Sequence, residues 1–163
     1  MFKSIEKLKE INFEGFKSIK ELKENIDLIP QRPGVYLVLN LNQSVPEFLA
    51  IGTGGHFKSK NPNKDLNYLK AKWINDTHVV YIGKAGGNNN STLRSRLKLY
   101  LDFGNGKPVG HYGGRLIWQL AHSPNLIICW KVLNDENPRD VEKQLILDFS
   151  NQFGSKPFAN INS

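Results

Sequence analysis

The chain has 163 residues, of which 39% are hydrophobic, and carries a formal net charge of +7 at neutral pH, so it is long enough for one domain with a buried core and no disulfide staples. Its single cysteine, Cys129, excludes an internal disulfide and a thiolate zinc site, and no apolar run reaches the roughly 18 residues of a membrane helix. The N-terminal residues also lack the apolar stretch of a secretory signal, so we expect a cytoplasmic protein with no membrane partner. The excess of basic residues is consistent either with nucleic-acid binding or with simple solubility.

Residues 1–30 are predicted to form an N-terminal helical arm. Ser18 and Glu21 have the spacing of a capping box, and apolar residues follow them at helical intervals. The helix should end before Pro30, because a residue that precedes proline is pushed out of the α region. We expect the arm to brace the core, although its amphipathic face could instead bind a partner.

The remaining residues, 31–163, are predicted to complete a single globular unit. Apolar runs rich in β-branched residues predict strands over 35–41, 79–82 and 126–133. Between the first two strands lies an insertion of about 42–78, with a short strand at 48–51 and a helix at 66–74. This order is typical of a small α+β domain with a short, largely antiparallel sheet.

Two further helices are predicted in this domain. The first is capped by Ser91 or Thr92 and is expected to end with Gly104 in the C′ position. The last begins at Asn137, with a proline in its first turn, and ends at Gly154.

Arg96 and Tyr100 are four residues apart on the first of these helices, so they project from one face. A guanidinium can bind two phosphate oxygens at once and is permanently charged, which suits a phosphoryl transition state. A surface arginine beside a half-buried tyrosine is the structural alternative. Arg94 and Lys98 on the same helix are read as general phosphate contacts or as solvated charges.

Glu142 is predicted in the first turn of the last helix, at the border of its apolar face. The helix dipole alone can explain a carboxylate there. The same carboxylate could instead point at the domain body and hold Mg²⁺, with waters and phosphate oxygens completing the shell.

Tyr36 and Tyr81 each stand in a predicted strand, where aromatic residues are common for packing reasons. Either could serve as a general base only if its pKa, ordinarily about 10, were lowered by nearby cations or metal. Lys84, three residues after Tyr81, is a candidate for that cation.

Five short segments occur in a fixed order along the chain: Gly34-Val35-Tyr36, Tyr81-Ile82-Gly83-Lys84, Leu93-x-x-Arg96-Leu97-x-x-Tyr100, Glu142 in its helix, and Pro157-Phe158-Ala159-Asn160. Together they resemble the signature of the GIY-YIG nuclease superfamily. The segment from His111 to Arg115 is similar to a feature of a bacterial subgroup of standalone proteins in that superfamily. The resemblance covers about residues 33–161. Each tripeptide is short, whereas all five elements in order are specific.

The resemblance implies a three-stranded antiparallel sheet flanked by helices, and hydrolysis of a DNA strand to 5′-phosphate and 3′-hydroxyl products with one Mg²⁺ or Mn²⁺ ion. By this analogy Arg96 steadies the transition state, Glu142 holds the ion and Asn160 organises the hydrogen bonds of the site. Tyr36 or Tyr81 would activate or position water, with support from Lys84.

Two features depart from the family pattern. The signature tyrosines, Tyr36 and Tyr81, are 45 residues apart rather than separated by a short segment. Lys58 and Lys60 in the insertion between them could contact DNA. Alternatively, the insertion could merely cover the edge of the sheet. His111 is a second candidate base, although His111 and Arg115 could equally brace a glycine-rich loop, and Arg115 is a further candidate DNA contact.

The leading prediction is therefore a divalent-metal-dependent DNA endonuclease. The alternative is a catalytically silent or partner-dependent nucleic-acid-binding module on the same fold. RNA stays an alternative substrate. Because the sequence has no zinc-finger or helix-turn-helix signature, a partner protein for targeting is a further possibility.

Overall fold

The computed structural model describes residues 2–42, 45–111 and 113–161. The first residue of the predicted arm, Met1, and the last residue of the predicted domain, Ser163, lie outside the described residues. Its strands are β1 (Glu14–Ser18), β2 (Gly34–Leu39), β3 (Val79–Ala85) and β4 (Ile127–Val132). Its α-helices are α1 (Ile5–Glu10), α2 (Ile19–Glu24), α3 (Leu66–Lys72), α4 (Leu93–Gly104) and α5 (Pro138–Phe153). None of the helices in these ranges is long and apolar enough to cross a membrane.

The strands form one antiparallel sheet in the order β1-β4-β2-β3. The α+β class is confirmed, but the expected count of three strands is wrong, because the predicted helical arm contributes a fourth. Asn12 turns the chain at φ 74°, and β1 then pairs with β4 through a bulge between Gly15 and Lys17. The arm is therefore two short helices around an edge strand. Its helical spacing hid a strand whose existence depends on pairing with residues far along the chain.

The central strand β2 is buried along its whole length because helices cover both faces of the sheet. Tyr36 and Val38 face the apolar cluster built with α4, whereas Val35 and Leu37 face the cluster built with α5. This explains why β2 reads as a continuous apolar run instead of an alternating one.

The two long helices begin at local signals that the sequence displays. The Thr92 side chain accepts from the Ser95 amide in a capping box, and Asn137 caps α5 ahead of Pro138. Gly154 ends α5 in the left-handed region, at φ 83°. Gly104 differs from expectation, because it is still helical; a Cβ there would lie 2.5 Å from the Trp118 ring, so close packing is what requires glycine.

The insertion packs on the α4 side of the sheet. The predicted strand at 48–51 is reduced to an isolated bridge between Phe48 and Leu120, and α3 follows at Leu66–Lys72. The Gly55 amide donates to the Phe103 carbonyl at 2.9 Å. The Phe48, Trp73 and Phe158 rings pack edge to face or tilted, with centroids 5.2–5.9 Å apart. The insertion is thus an integral layer of the domain.

Candidate active site

A pocket of about 240 Å³ opens where β2, β3, α4 and α5 meet. It collects residues that are widely separated in sequence. The lining residues are Tyr36, Tyr81, Lys84, Ala85, Gly86, Asn88, Asn89, Ser91, Arg96 and Glu142. Five of the predicted site residues are therefore brought together.

The two signature tyrosines lie on the floor of this pocket. Tyr36 on β2 is opposite Gly83 on β3, and a Cβ at Gly83 would lie 2.3 Å from Tyr36 Cζ. Glycine at that position is what allows the Tyr36 ring to lie across β3. Tyr81 points to the same side of the sheet, with its ring centroid 6.0 Å from that of Tyr36 in an edge-on arrangement.

His111 reaches the Tyr36 hydroxyl from the loop after α4. Its Nδ1 lies 3.1 Å from the Gly113 carbonyl oxygen, and its Nε2 lies 3.2 Å from the Tyr36 hydroxyl. Since a carbonyl can only accept, Nδ1 carries the proton and Nε2 accepts from Tyr36. This contact leaves the lone pairs of the Tyr36 oxygen as acceptors for another donor.

Burial disfavours the charged forms of all three of these side chains. It raises the pKa of Tyr36 well above its ordinary value and that of Tyr81 to about 12, although the Arg96 charge acts in the opposite direction. Burial and the nearby Arg96 lower the pKa of His111 to about 3. Burial thus works against the lowered tyrosine pKa that a general base requires, and it favours the neutral form of His111.

Tyr100 lies behind the pocket rather than on its wall. Its hydroxyl donates to the Gly114 carbonyl at 2.6 Å, and its ring stacks on His111 with centroids 4.3 Å apart. Gly114 sits at φ 73°, and a Cβ there would lie 2.7 Å from the Tyr100 hydroxyl. Tyr100 thus positions the loop that delivers His111.

Arg96 projects from α4 into the pocket, and its Nη1 contacts the Gly110 carbonyl at 3.5 Å. Its neighbours on α4 have other contacts. Arg94 donates through Nε to Ile29 and through Nη2 to Asp27, at 2.8 and 3.0 Å, which ties α4 to the arm. Lys98 forms an ion pair with Asp102 at 2.9 Å. Arg115 is only 9% exposed, at the start of the buried turn Arg115–Gln119.

Glu142 lies in the second turn of α5, since the helix begins at Pro138. The predicted place in the first turn is therefore wrong. The helix dipole explains a carboxylate in the second turn less well than one in the first. The side chain is half-buried at the pocket wall. Burial raises its pKa, while Lys84 and Arg96 act to lower it. Within residues 2–42, 45–111 and 113–161, neither a hydrogen bond nor an ion pair engages the Glu142 carboxylate.

Lys84 and Asn160 make hydrogen bonds at β3 and at the turn that follows it. The Lys84 ammonium donates to the Gly86 carbonyl at 3.3 Å, beside the pocket. Asn160 accepts from the Ile82 amide and donates to the Ile82 carbonyl, each at 2.9 Å. Asn160 therefore imitates a paired strand along the free edge of β3, next to Tyr81, and it does not line the pocket.

Three polar side chains of the pocket wall were not predicted from sequence: those of Asn88, Asn89 and Ser91. They belong to the polar loop after β3, in which Gly86 and Gly87 adopt φ 92° and 95°. A pair of glycines directly after a strand that ends in Lys84-Ala85 is the sequence signal that could have pointed to them.

The insertion lysines, Lys58 and Lys60, are exposed and do not line this pocket. Among the described residues, no group of three or more His, Cys, Asp or Glu side chains could hold a metal ion. Any ion in the pocket would have Glu142 as its carboxylate ligand there. Comparison of the chain with known protein families, with curated proteins and with solved structures found no match.

Proposed function

We propose that this protein is a divalent-metal-dependent endonuclease that hydrolyses DNA phosphodiester bonds to 5′-phosphate and 3′-hydroxyl ends. The observation that carries the proposal is the convergence of Tyr36, Tyr81, Lys84, Arg96 and Glu142 on one pocket. These residues come from β2, β3, α4 and α5. They include two cations for phosphate, a carboxylate for an ion and hydroxyl groups for water.

The residues present fit a single hard cation. Glu142 offers one half-buried carboxylate without a competing hydrogen bond or ion pair among the described residues, and Mg²⁺ is commonly held by one or two carboxylates together with waters and substrate phosphates. The positive charges of Lys84 and Arg96 lie near Glu142 and would repel a metal ion bound there. Negatively charged phosphate oxygens of the substrate would therefore be needed among the ligands of the ion. When bound, Mg²⁺ or Mn²⁺ would polarise the phosphate and stabilise the departing oxyanion.

The chain itself would bind and orient the reacting groups. Arg96 would hold two oxygens of the scissile phosphate and offset the charge that develops on them. Tyr36 would accept a hydrogen bond from the attacking water, because its own proton is donated to His111. Burial raises the pKa of Tyr36, which keeps its hydroxyl protonated at rest and suited to orienting water.

The test is cleavage of labelled linear, flapped, branched and supercoiled DNA, with a single-stranded RNA for comparison. The wild type is compared with Glu142→Gln, which keeps the shape of the side chain, and with Glu136→Gln as a control at an exposed position just before α5. Cutting should require Mg²⁺ or Mn²⁺, stop in EDTA, survive in Glu136→Gln and be lost in Glu142→Gln. DNA affinity of Glu142→Gln should be equal or higher, since a negative charge near phosphate is removed.

Cutting by Glu142→Gln at the wild-type rate would refute the assigned metal ligand. Failure of the wild type to cut any substrate, with salt-sensitive binding retained, would favour a binding module or a subunit that needs a partner. Products with a 3′-phosphate would contradict the proposed chemistry.

A further inference from the structure

The insertion contains a turn with a strained backbone. Lys58 and Ser59 are consecutive and adopt φ 52° and 60°, the left-handed region that side chains with a Cβ disfavour. Strain of this kind persists where the surrounding structure imposes it, and it is concentrated at ligand-binding segments.

This turn lies next to the loop after α4, whose Gly110 carbonyl contacts the guanidinium of Arg96. The insertion is fixed to the end of α4 through the Gly55 amide and the Phe103 carbonyl. Two residues later, the Phe57 ring lies against Gly110, since a Cβ built on that glycine would be 3.6 Å from Phe57 Cζ. The Gly110 carbonyl is also the contact of Arg96. One residue thus separates Phe57 from the guanidinium assigned to the scissile phosphate.

The turn presents an aromatic ring together with positive charge. Phe57 is partly exposed, and the Lys58 ammonium lies 5.3 Å from its ring centroid. Lys58 and Lys60 are exposed beside it. A ring bordered by cations is what proteins use to bind single-stranded nucleic acid, with the ring under a base and the cations on phosphates.

We propose that the turn His56–Lys60 binds an unpaired stretch of DNA next to the bond that is cut, with a base stacked on Phe57 and Lys58 on the adjoining phosphate. The inference rests on the proposed function and narrows its substrate to DNA with unpaired nucleotides beside the cleavage site. A duplex interior cannot engage the ring, because its base faces are already stacked. The Lys58 ammonium would leave the ring as the base arrives.

The test is binding of the full chain, in EDTA to prevent cutting, to two fluorescent DNAs measured by anisotropy. One is a blunt duplex and the other is the same duplex with a single-stranded overhang. Phe57→Ala should weaken binding to the overhang DNA by roughly 5-fold to 100-fold, the range found for the loss of one stacked base. Binding to the blunt duplex should stay within about 2-fold of the wild type. Phe57→Trp should retain the overhang preference.

Phe16 supplies the matched control. It is a partly buried phenylalanine with φ 53°, and the Lys9 ammonium lies 5.4 Å from its ring centroid. It stands on the edge strand β1, which contributes nothing to the described pocket wall. Phe16→Ala should leave both affinities unchanged. Phe57→Leu keeps an apolar contact with Gly110 while removing the aromatic face, so it should bind the overhang as weakly as Phe57→Ala.

The proposal is overturned if Phe57→Ala and Phe57→Leu bind the overhang DNA as tightly as the wild type, if both DNAs are weakened equally, or if the wild type binds neither. Its failure is distinct from that of the nuclease assignment. If the wild type never cuts DNA but prefers the overhang in a way that depends on Phe57, the nuclease assignment is wrong and the turn is supported as a binding element. Metal-dependent cutting that is indifferent to Phe57 does the reverse.

Discussion

Replacement of His111 by glutamine should remove a specific part of the acid sensitivity of the fold. His111 is fully buried, with Nδ1 donating to Gly113 and Nε2 accepting from Tyr36. Burial and the nearby Arg96 lower its pKa from 6.5 to about 3. Below pH 6.5 the unfolded chain therefore binds a proton at His111 that the folded chain does not bind, so stability falls as the pH decreases.

The size of the effect follows from those two pKa values. Linkage gives a loss of about 2 kcal/mol in the free energy of unfolding between pH 7 and pH 5, and roughly 4–5 kcal/mol if titration continues to pH 3. Glu142 acts in the opposite direction, because its folded-state pKa is raised by burial and protonation favours the folded protein. The window from pH 7 to pH 5 therefore suits the measurement, since ordinary carboxylates remain ionised there.

The assay is urea-induced unfolding of wild type and His111→Gln at half-unit intervals between pH 7 and pH 5. Glutamine can keep the acceptor towards Tyr36, although it gives up the hydrogen bond to Gly113, so the variant should be less stable at pH 7 and less dependent on pH. The difference in unfolding free energy between the two proteins should shrink by about 2 kcal/mol across the window. His56→Gln, at an exposed position, should follow the wild type throughout.

A difference that stays constant from pH 7 to pH 5 would refute this reasoning. It would mean that the folded protein binds a proton at His111 as readily as the unfolded chain does, so that burial does not keep His111 as a neutral acceptor for the Tyr36 hydroxyl. The role of Tyr36 in orienting water would then lose its basis.

Two further changes test how the rest of the site is held. Asn160→Ala leaves both the amide and the carbonyl of Ile82 without their partner, and we expect the free energy of unfolding in urea to fall by roughly 2–4 kcal/mol. Asn151→Ala, at an exposed position on α5, is the control. Equal stability of the two variants would argue against a role of Asn160 in bracing β3. Gly83→Ala places a methyl group 2.3 Å from Tyr36 Cζ, so it should cost about 1–3 kcal/mol and change the near-ultraviolet circular dichroism of the tyrosines. An unaltered spectrum and melting temperature in Gly83→Ala would show that the ring does not lie across β3.

The features predicted correctly from sequence are those with local causes. The capping box at Ser18 and Glu21, the cap at Asn137 and the left-handed Gly154 each depend on residues within one helical turn. Such signals are written in adjacent residues and need no knowledge of distant contacts. The β1 strand is the opposite case, since Glu14 pairs with Trp130, a residue far along the chain that no local signal in β1 indicates.

The site was predictable in part for a similar reason. The order of the five segments placed Tyr36, Arg96 and Glu142 together by resemblance, but no spacing rule indicates that a loop histidine reaches Tyr36. That contact depends on Tyr100, which holds the Gly114 carbonyl and stacks on the imidazole ring of His111. Tyr100 therefore looked catalytic from its place on the helix, whereas the structure gives it contacts that position the loop.

The candidate site also concentrates groups whose charged forms are disfavoured by burial. Burial raises the pKa of Glu142 and of the two floor tyrosines, and it lowers that of His111. Each shift means that the charged form is less stable there than in water, which natural cores otherwise avoid by using apolar side chains. Such departures from consistent packing are expected where a site binds a ligand that supplies the missing counter-charge. A phosphodiester with a divalent ion would supply it here, because phosphate offsets Arg96 while the ion offsets Glu142.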